Sequence, residues 1–222
     1  MSYFTNDFIK FFEELKQNNN REWFQENKKR YELSVKEPFE AFVQDMIYRI
    51  HEDDESIMLT PKEAIFRIYR DIRFSKDKTP YKTHVSAVIS NGGRKNYTDP
   101  GVYLEVSSEH LRFYSGIYEM SKDQLENVRS FIASNLDEFN TLLKNKTFKK
   151  YFGSVRGEQN KRIPKKFNEI LSSQPLIANK QFYYFSELEP NKILSKNLPS
   201  NLMKFYHAAK PMNLFLKEAL GL

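Results

Sequence analysis

The chain has 222 residues, of which 40% are hydrophobic and 29% are charged. This length and composition are typical of one globular domain with its own core. The chain has no cysteine, which excludes disulfides, thiol catalysis and cysteine-ligated zinc or iron–sulfur clusters. A mean hydropathy of -0.68 and the lack of a long apolar run predict a soluble protein. The first residues lack the basic and apolar regions of a signal peptide, so we predict a cytoplasmic location.

The net charge of +6 is unevenly distributed along the chain. Residues 60–100 carry nine Lys or Arg against four Asp or Glu, and residues 144–166 carry nine against one. An acidic segment precedes each basic block, and such segregation favours an anionic ligand or partner. The chain is rich in Lys, Asn and Phe throughout, so its eleven arginines are the more informative basic residues.

The N-terminal part, residues 1–59, is predicted to be helical. Apolar residues from Phe8 to Leu15 follow the spacing of an amphipathic helix. The asparagine run that follows is expected to end this helix, and Asn20 is expected to cap a second one. Another apolar stripe begins after Pro38, a residue that suits the first turn of a helix.

The middle of the chain, residues 60–118, changes to the two-residue period of β-strands. The predicted strands lie within residues 65–74, 81–89, 102–106 and 111–115. The first has one apolar face that we expect to be buried, made of Phe66, Ile68, Ile72 and Phe74. Arg70 falls on that same face, where it needs a partner or an opening because an unpaired buried arginine is very costly.

Residues 119–222 are predicted to be helical and irregular. Ser121 and Gln124 have the spacing of a capping box at the start of a helix. A short aromatic run at 182–185 is a further strand candidate. The last helix is expected to break at Pro211.

This order of elements predicts an α+β fold with a central antiparallel β-meander of about four strands and N- and C-terminal helices packed on it. We expect a single domain over residues 1–222. The chain has no dinucleotide, P-loop or nucleophile-elbow pattern. Its four histidines are scattered without metal-ligand spacing, so we predict no metal site and no cofactor.

Residues 67–82 are the most informative stretch, with six basic side chains and two aspartates. Neighbouring arginines repel each other unless an anion neutralises them, and arginine binds phosphate or carboxylate in a bidentate manner. We therefore predict a site for a small anionic ligand on this strand and the loop after it. The predicted ligand-binding residues are Arg67, Arg70, Arg73, Ser75, Lys78, Lys82, Lys161 and Arg162.

Three residues of this stretch are candidates for catalysis. Asp71 or Asp77 would orient an arginine or carry a proton, and Tyr81 would donate a hydrogen bond. A structural interpretation stays open beside this one, in which the two aspartates pair with arginines in a ladder of ion pairs. Whether the protein is an enzyme is left open.

Two other functions remain as alternatives. The two basic blocks and the tyrosines favour nucleic-acid binding, although the acidic flanks argue against a broad basic surface. The aromatic N-terminal helices offer a protein-interaction face, but such aromatic content supplies a core first. Lys161 and Arg162 either close over the same anion or belong to a solvated loop. Arg21 and Glu22 are interpreted as the start of a helix, although both could reach a groove. We expect no membrane partner and leave the oligomeric state open.

The central motif resembles the signature of a bacterial family, the domain of unknown function 2461. This motif runs Arg67-x-x-Arg70-Asp71-x-Arg73-Phe74 and continues to Asp77-Lys78-x-x-Tyr81. The resemblance extends to Asn18–Phe24 with Tyr31, Pro100-Gly101-x-Tyr103, Gly116-x-Tyr118 with Leu125 and Arg129, and Lys161-Arg162-x-Pro164-Lys165. Lys166 is a departure, since the family pattern has a glycine there. The resemblance implies one full-length family domain, defined by its Arg-Asp-Arg cluster, and no assigned activity.

Overall fold

The computed structural model describes residues 2–96 and 98–222. The helices within them are α1 (Asn6–Gln17), α2 (Arg21–Glu26), α3 (Lys28–Tyr31), α4 (Glu37–His51), α5 (Pro61–Ala64), α6 (Lys122–Ser134), α7 (Leu136–Lys144), α8 (Lys146–Phe152), α9 (Asn168–Leu171) and α10 (Leu198–Leu220). The strands are β1 (His84–Ile89), β2 (Gly101–Ser107), β3 (Leu111–Ile117) and β4 (Phe182–Leu188). They form one antiparallel sheet in the order β1-β2-β3-β4. The predicted α+β class is confirmed.

One strand of the prediction is wrong. Residues 65–74 form only isolated bridges, such as that between Ile65 and Ala87, and the fourth strand of the sheet is β4 instead. At the end of this segment, Asp71 accepts a hydrogen bond from the backbone N–H of Arg73. Such local side-chain bonds compete with the ladder of a sheet.

The apolar face predicted for residues 65–74 is also wrong in most of its members. Ile68 is buried, whereas Phe66 and Ile72 are half-buried. Phe74 is 96% exposed. The segment therefore does not present a continuous buried face, and Arg70 is not forced into the core.

The N-terminal helices follow the predicted pattern. The apolar stripe of α1 is buried from Phe8 to Leu15, and Thr5 caps the helix through the N–H of Asp7. The side chain of Asn20 caps α2, as expected. Pro38 lies in the first turn of α4. A π-helical turn joins α3 to α4, so that three helical segments follow one another without a loop.

The C-terminal part agrees with the prediction at its start and differs at its end. Ser121 and Gln124 form the predicted capping box of α6. The break expected at Pro211 is wrong, because this residue lies inside the continuous helix α10. Met212 and Phe215 are buried on that helix. Burial of such side chains outweighs the one backbone hydrogen bond that a proline removes.

The chain divides into two compact units, each made of three segments. The first unit comprises Met1–Ile89, Tyr103–Phe113 and Glu187–Met203. The second unit comprises Ser90–Val102, Tyr114–Ser186 and Lys204–Leu222. The predicted site segment 67–82 therefore belongs to the first unit, and Lys161 and Arg162 belong to the second.

Candidate functional site

Residues 65–87 fold back on themselves as an irregular hairpin. Tyr69 and Tyr81 form a bridge between its two arms, and the N–H of Arg70 donates to the carbonyl of Pro80 at 2.9 Å. The tip of the hairpin is shaped by local side-chain bonds rather than by a sheet ladder. The hairpin therefore positions Tyr69, Arg70 and Tyr81 beside one another.

The turn between α1 and α2 is fastened to this hairpin by one asparagine. The side chain of Asn19 donates to the carbonyl of Tyr81 at 2.9 Å and accepts from its N–H at 3.1 Å. The ring of Phe24, on α2, stacks on the ring of Tyr81 with centroids 3.9 Å apart. Two motifs that are sixty residues apart in the sequence thus form one site.

A cavity of about 580 Å³ lies between α2 and the hairpin. Its lining residues are Arg21, Glu22, Gln25, Tyr69, Arg70, Ile72, Pro80 and Tyr81. Tyr81 is 6% exposed and Tyr69 is 51% exposed, so the aromatic wall runs from the interior to the surface. The cavity combines this wall with two guanidinium groups and one carboxylate.

Arg70 is held along one edge of its guanidinium group. Its Nη1 donates to Asp77 Oδ2 at 2.5 Å, to the Thr79 carbonyl at 3.2 Å, and to the Thr79 hydroxyl. The backbone N–H of Thr79 and the charge of Arg70 lower the pKa of Asp77 to about 2, so its carboxylate stays ionised. Nε and Nη2 of Arg70 make no hydrogen bond within the part of the chain that the structure describes. These nitrogens are donors with capacity for a ligand.

Other predicted residues of the loop lie outside the lining of the cavity. Arg73 pairs with Asp71, with Nη2 and Oδ2 2.7 Å apart, and the Arg73 side chain is 77% exposed. Hydrogen bonds from Arg73 lower the pKa of Asp71 to about 2. Lys78 donates from Nζ to the carbonyl of Ile72 at 2.9 Å. Ser75 is half-buried in the same loop.

Arg67 and Lys82 are also outside the cavity lining. Arg67 is exposed. Lys82 is half-buried, and its Nζ lies 5.2 Å from the centroid of the Phe66 ring. Burial, with the charge of Arg67, lowers the pKa of Lys82. Lys161 and Arg162 are exposed and belong to the other unit.

The first unit holds a second polar cluster, centred on Glu105 of β2. The Glu105 carboxylate contacts His110 Nε2 at 2.8 Å, Arg112 Nη1 at 3.1 Å and His84 Nε2 at 3.7 Å. Burial alone would raise the pKa of Glu105, but His84, His110 and a hydrogen bond from Tyr103 hold it below its usual value. The negative charge of Glu105 is thus balanced by the basic side chains around it.

The sequence predicted a helix start at Arg21 and Glu22, with a groove within their reach, and gave no indication that Gln25 and Tyr69 are cavity residues. All four line the cavity. The available signal was the resemblance, which includes the segment from Asn18 to Phe24 as well as the central motif.

Residues 2–96 and 98–222 contain neither a membrane-spanning helix nor a cluster of metal ligands. None of the described helices is long and apolar enough to span a bilayer. No group of three or more His, Asp or Glu side chains in these ranges is arranged to hold a metal ion.

The fold and the cavity define an α+β protein in which a helical turn and an arginine-bearing hairpin build one pocket. A family model described as "Conserved hypothetical protein (DUF2461)" matches residues 7–215, so the chain belongs to that family. The matched span includes the asparagine turn, the whole hairpin and most of α10. A comparison with curated proteins found no match.

Proposed function

We propose that the cavity binds a small anionic molecule through a phosphate or carboxylate group. The observation that carries this proposal is the guanidinium of Arg70, which lines the cavity. Its Nη1 is hydrogen-bonded to Asp77 and Thr79, whereas Nε and Nη2 make no hydrogen bond to the described residues. A guanidinium fixed along one edge loses little freedom when its other edge binds an oxyanion. Arg70 is therefore the primary anion ligand.

The remaining lining residues support this assignment. Arg21 adds a second positive charge at the cavity, where Glu22 is the single acidic lining residue. Gln25 offers amide donors and acceptors. Tyr69 exposes about half of its surface and offers an aromatic wall to the apolar body of a ligand. The expected ligand joins an anionic group to a small organic body.

The candidate catalytic residues take different roles in this proposal. Asp77 is a positioning residue, because it holds Arg70 and has no proton to donate while it is ionised. Burial raises the pKa of Tyr81, so its hydroxyl stays protonated at neutral pH and remains a donor. Asp71 and Arg73 pair with each other and shape the tip of the hairpin. A catalytic role for Asp71, Asp77 or Tyr81 stays a prediction from the sequence.

Trp23 provides a direct test of binding. It is the single tryptophan of the chain and lies on α2 between the lining residues Glu22 and Gln25. We expect inorganic phosphate, citrate, a sugar phosphate or a nucleoside monophosphate to change its fluorescence in a saturable way and to raise the melting temperature. Sodium chloride at matched ionic strength is the control for screening.

Two arginine variants locate the binding site. Arg70→Gln should weaken the affinity for the tightest of these anions by about tenfold or more, because a charge-assisted hydrogen bond is lost. Arg73→Gln is the matched control from the same loop, and its affinity should be unchanged. The proposal fails if no anion of the panel binds to the unmodified protein. It also fails if both variants bind as tightly as the unmodified protein does.

A further inference from the structure

The second unit carries a group of neighbouring aromatic side chains on β3, β4 and the residue after β3. This aromatic platform consists of Tyr114, Tyr118, Tyr183 and Phe185. The rings of Tyr114 and Phe185 stack with centroids 4.7 Å apart, and those of Tyr118 and Tyr183 meet at 5.5 Å. Tyr118 is 63% exposed, and the other three are half-buried.

The platform lies on the side of β4 that faces away from α10. Phe182 and Tyr184 alternate with the platform residues along β4 and are fully buried. The hydroxyl of Tyr184 donates to Asn213 Oδ1 on α10 at 2.6 Å. Side chains on a strand alternate between its two faces, so Tyr183 and Phe185 point to the other side.

The guanidinium group of Arg156 lies against the aromatic platform. Its backbone pairs with Tyr183 as a bridge at the edge of β4. Its guanidinium carbon lies 4.1 Å from the centroid of the Phe185 ring. Arg156 is exposed and makes no ion pair within the described part of the chain. Its donors remain available beside the stacked rings.

Positive charge accumulates in the same unit. The second unit carries 17 Lys or Arg against 9 Asp or Glu, whereas the first carries 18 against 20. The edge segment that begins at Arg156 continues into the exposed residues Lys161 and Arg162. Glu158 lies on this segment and pairs with Lys180 at 3.0 Å, so its charge is compensated. The second unit as a whole is therefore net positive, which favours an anionic partner.

We propose that the aromatic platform and Arg156 bind single-stranded nucleic acid. Bases would stack on Tyr118 and the neighbouring rings, while Arg156, Lys161 and Arg162 contact the phosphates. A duplex keeps its bases stacked inside and cannot offer them to the platform. A neutral carbohydrate would use the rings but not the surrounding positive charge. This surface is distinct from the cavity of the first unit and does not depend on its function.

Fluorescence anisotropy with labelled oligonucleotides tests the proposal. The probes are a single-stranded oligo-dT and an oligo-rU of about twelve nucleotides, a range that one such surface covers. A duplex of the same length is the comparison. We expect the single strands to bind more tightly than the duplex, with an affinity that falls as the salt concentration rises.

Two substitutions separate stacking from charge. Tyr118→Ala removes an exposed ring and should weaken single-strand binding about fivefold or more. Arg156→Gln should also weaken it and should make the salt dependence shallower by about one phosphate contact. Tyr48→Ala is the matched control, since Tyr48 is 58% exposed on α4 of the first unit. Circular dichroism checks that each variant is folded.

Several results would overturn the proposal. They are the absence of single-strand binding at low salt, an affinity for duplex equal to that for single strands, or an unchanged affinity in Tyr118→Ala. Binding of a neutral polysaccharide in place of the oligonucleotides would assign the platform to carbohydrate instead.

Discussion

At the scale of single residues, three consecutive asparagines perform three different tasks. The side chain of Asn18 donates to the carbonyl of Glu14 in the last turn of α1. Asn20 accepts from the N–H of Trp23 at the start of α2. Asn19 bonds instead to the distant backbone of Tyr81. The first two bonds are local and follow from the preference of asparagine for caps and turns. The third depends on which segment packs against the turn.

Asp77 yields a prediction in which two physical effects oppose each other. Asp77→Asn removes a negative charge near the proposed anion site, which by simple electrostatics would tighten phosphate binding. The substitution also weakens the hydrogen bond between residue 77 and Arg70, and this bond fixes the position of the Arg70 guanidinium. We expect positioning to dominate, so that the affinity for phosphate falls by about fivefold in a Trp23 fluorescence titration.

Asp71→Asn is the matched control for this prediction. Asp71 is an aspartate of the same loop, but it pairs with Arg73 and does not line the cavity. Its substitution should leave the affinity for phosphate unchanged. Tighter binding in Asp77→Asn would mean that the carboxylate acts only as a repelling charge.

At the scale of elements, Arg129 shows how one helix holds a loop that has little regular structure. Arg129 lies on α6 and is 5% exposed. Its guanidinium donates to the carbonyls of Ile177, Ala178 and Asn179 at 2.8 to 3.3 Å. The carbonyl of Ala178 also accepts from the N–H of Asn160, whereas the carbonyls of Ile177 and Asn179, at the end of a short 3-10 helix, have Arg129 as their donor. The resemblance includes Arg129, and its observed contacts are structural.

Arg129→Met should therefore destabilise the protein. Methionine fills much of the same space but leaves the carbonyls of Ile177 and Asn179 without their donor, so the free energy of unfolding should fall by about 3 kcal/mol. Urea unfolding followed by circular dichroism measures this change. Lys122→Met changes an exposed residue of the same helix and should have little effect. Equal stability of the two variants would show that water satisfies the carbonyls.

At the scale of the whole molecule, stability should depend on pH through the cluster around Glu105. Burial lowers the pKa of His84 from its usual 6.5, although Glu105 acts in the opposite direction and Lys82 assists. The folded state therefore binds fewer protons than the unfolded chain. The neutral His84 side chain therefore contributes stability above about pH 6.5, and this contribution is lost as the pH falls through the pKa of His84 in the folded state.

We expect the urea midpoint to decrease between about pH 7.5 and pH 5.5. His84→Gln should make this decrease smaller, because the residue that titrates in this range is removed. His207→Gln, which changes an exposed histidine of α10, should leave the pH dependence as it is. A pH dependence identical in all three proteins would assign the effect to other groups.

The sequence by itself determined the local features and the class of the fold. The apolar stripes of α1 and α4, the cap at Asn20, and the capping box of α6 depend on residues a few positions apart. Helices on both sides of alternating strands were enough to predict an α+β protein. The family resemblance was carried by short motifs that can be recognised without a structure.

Tertiary structure decided which distant segments meet. The pattern of residues 65–74 is that of a strand, but this segment forms only isolated bridges, and β4 is the fourth strand of the sheet. The tertiary packing brought Arg21 and Arg70 to the lining of one cavity and left Arg73 outside it. Spacing along the chain cannot show this, because such contacts depend on how whole elements bury their apolar faces against one another.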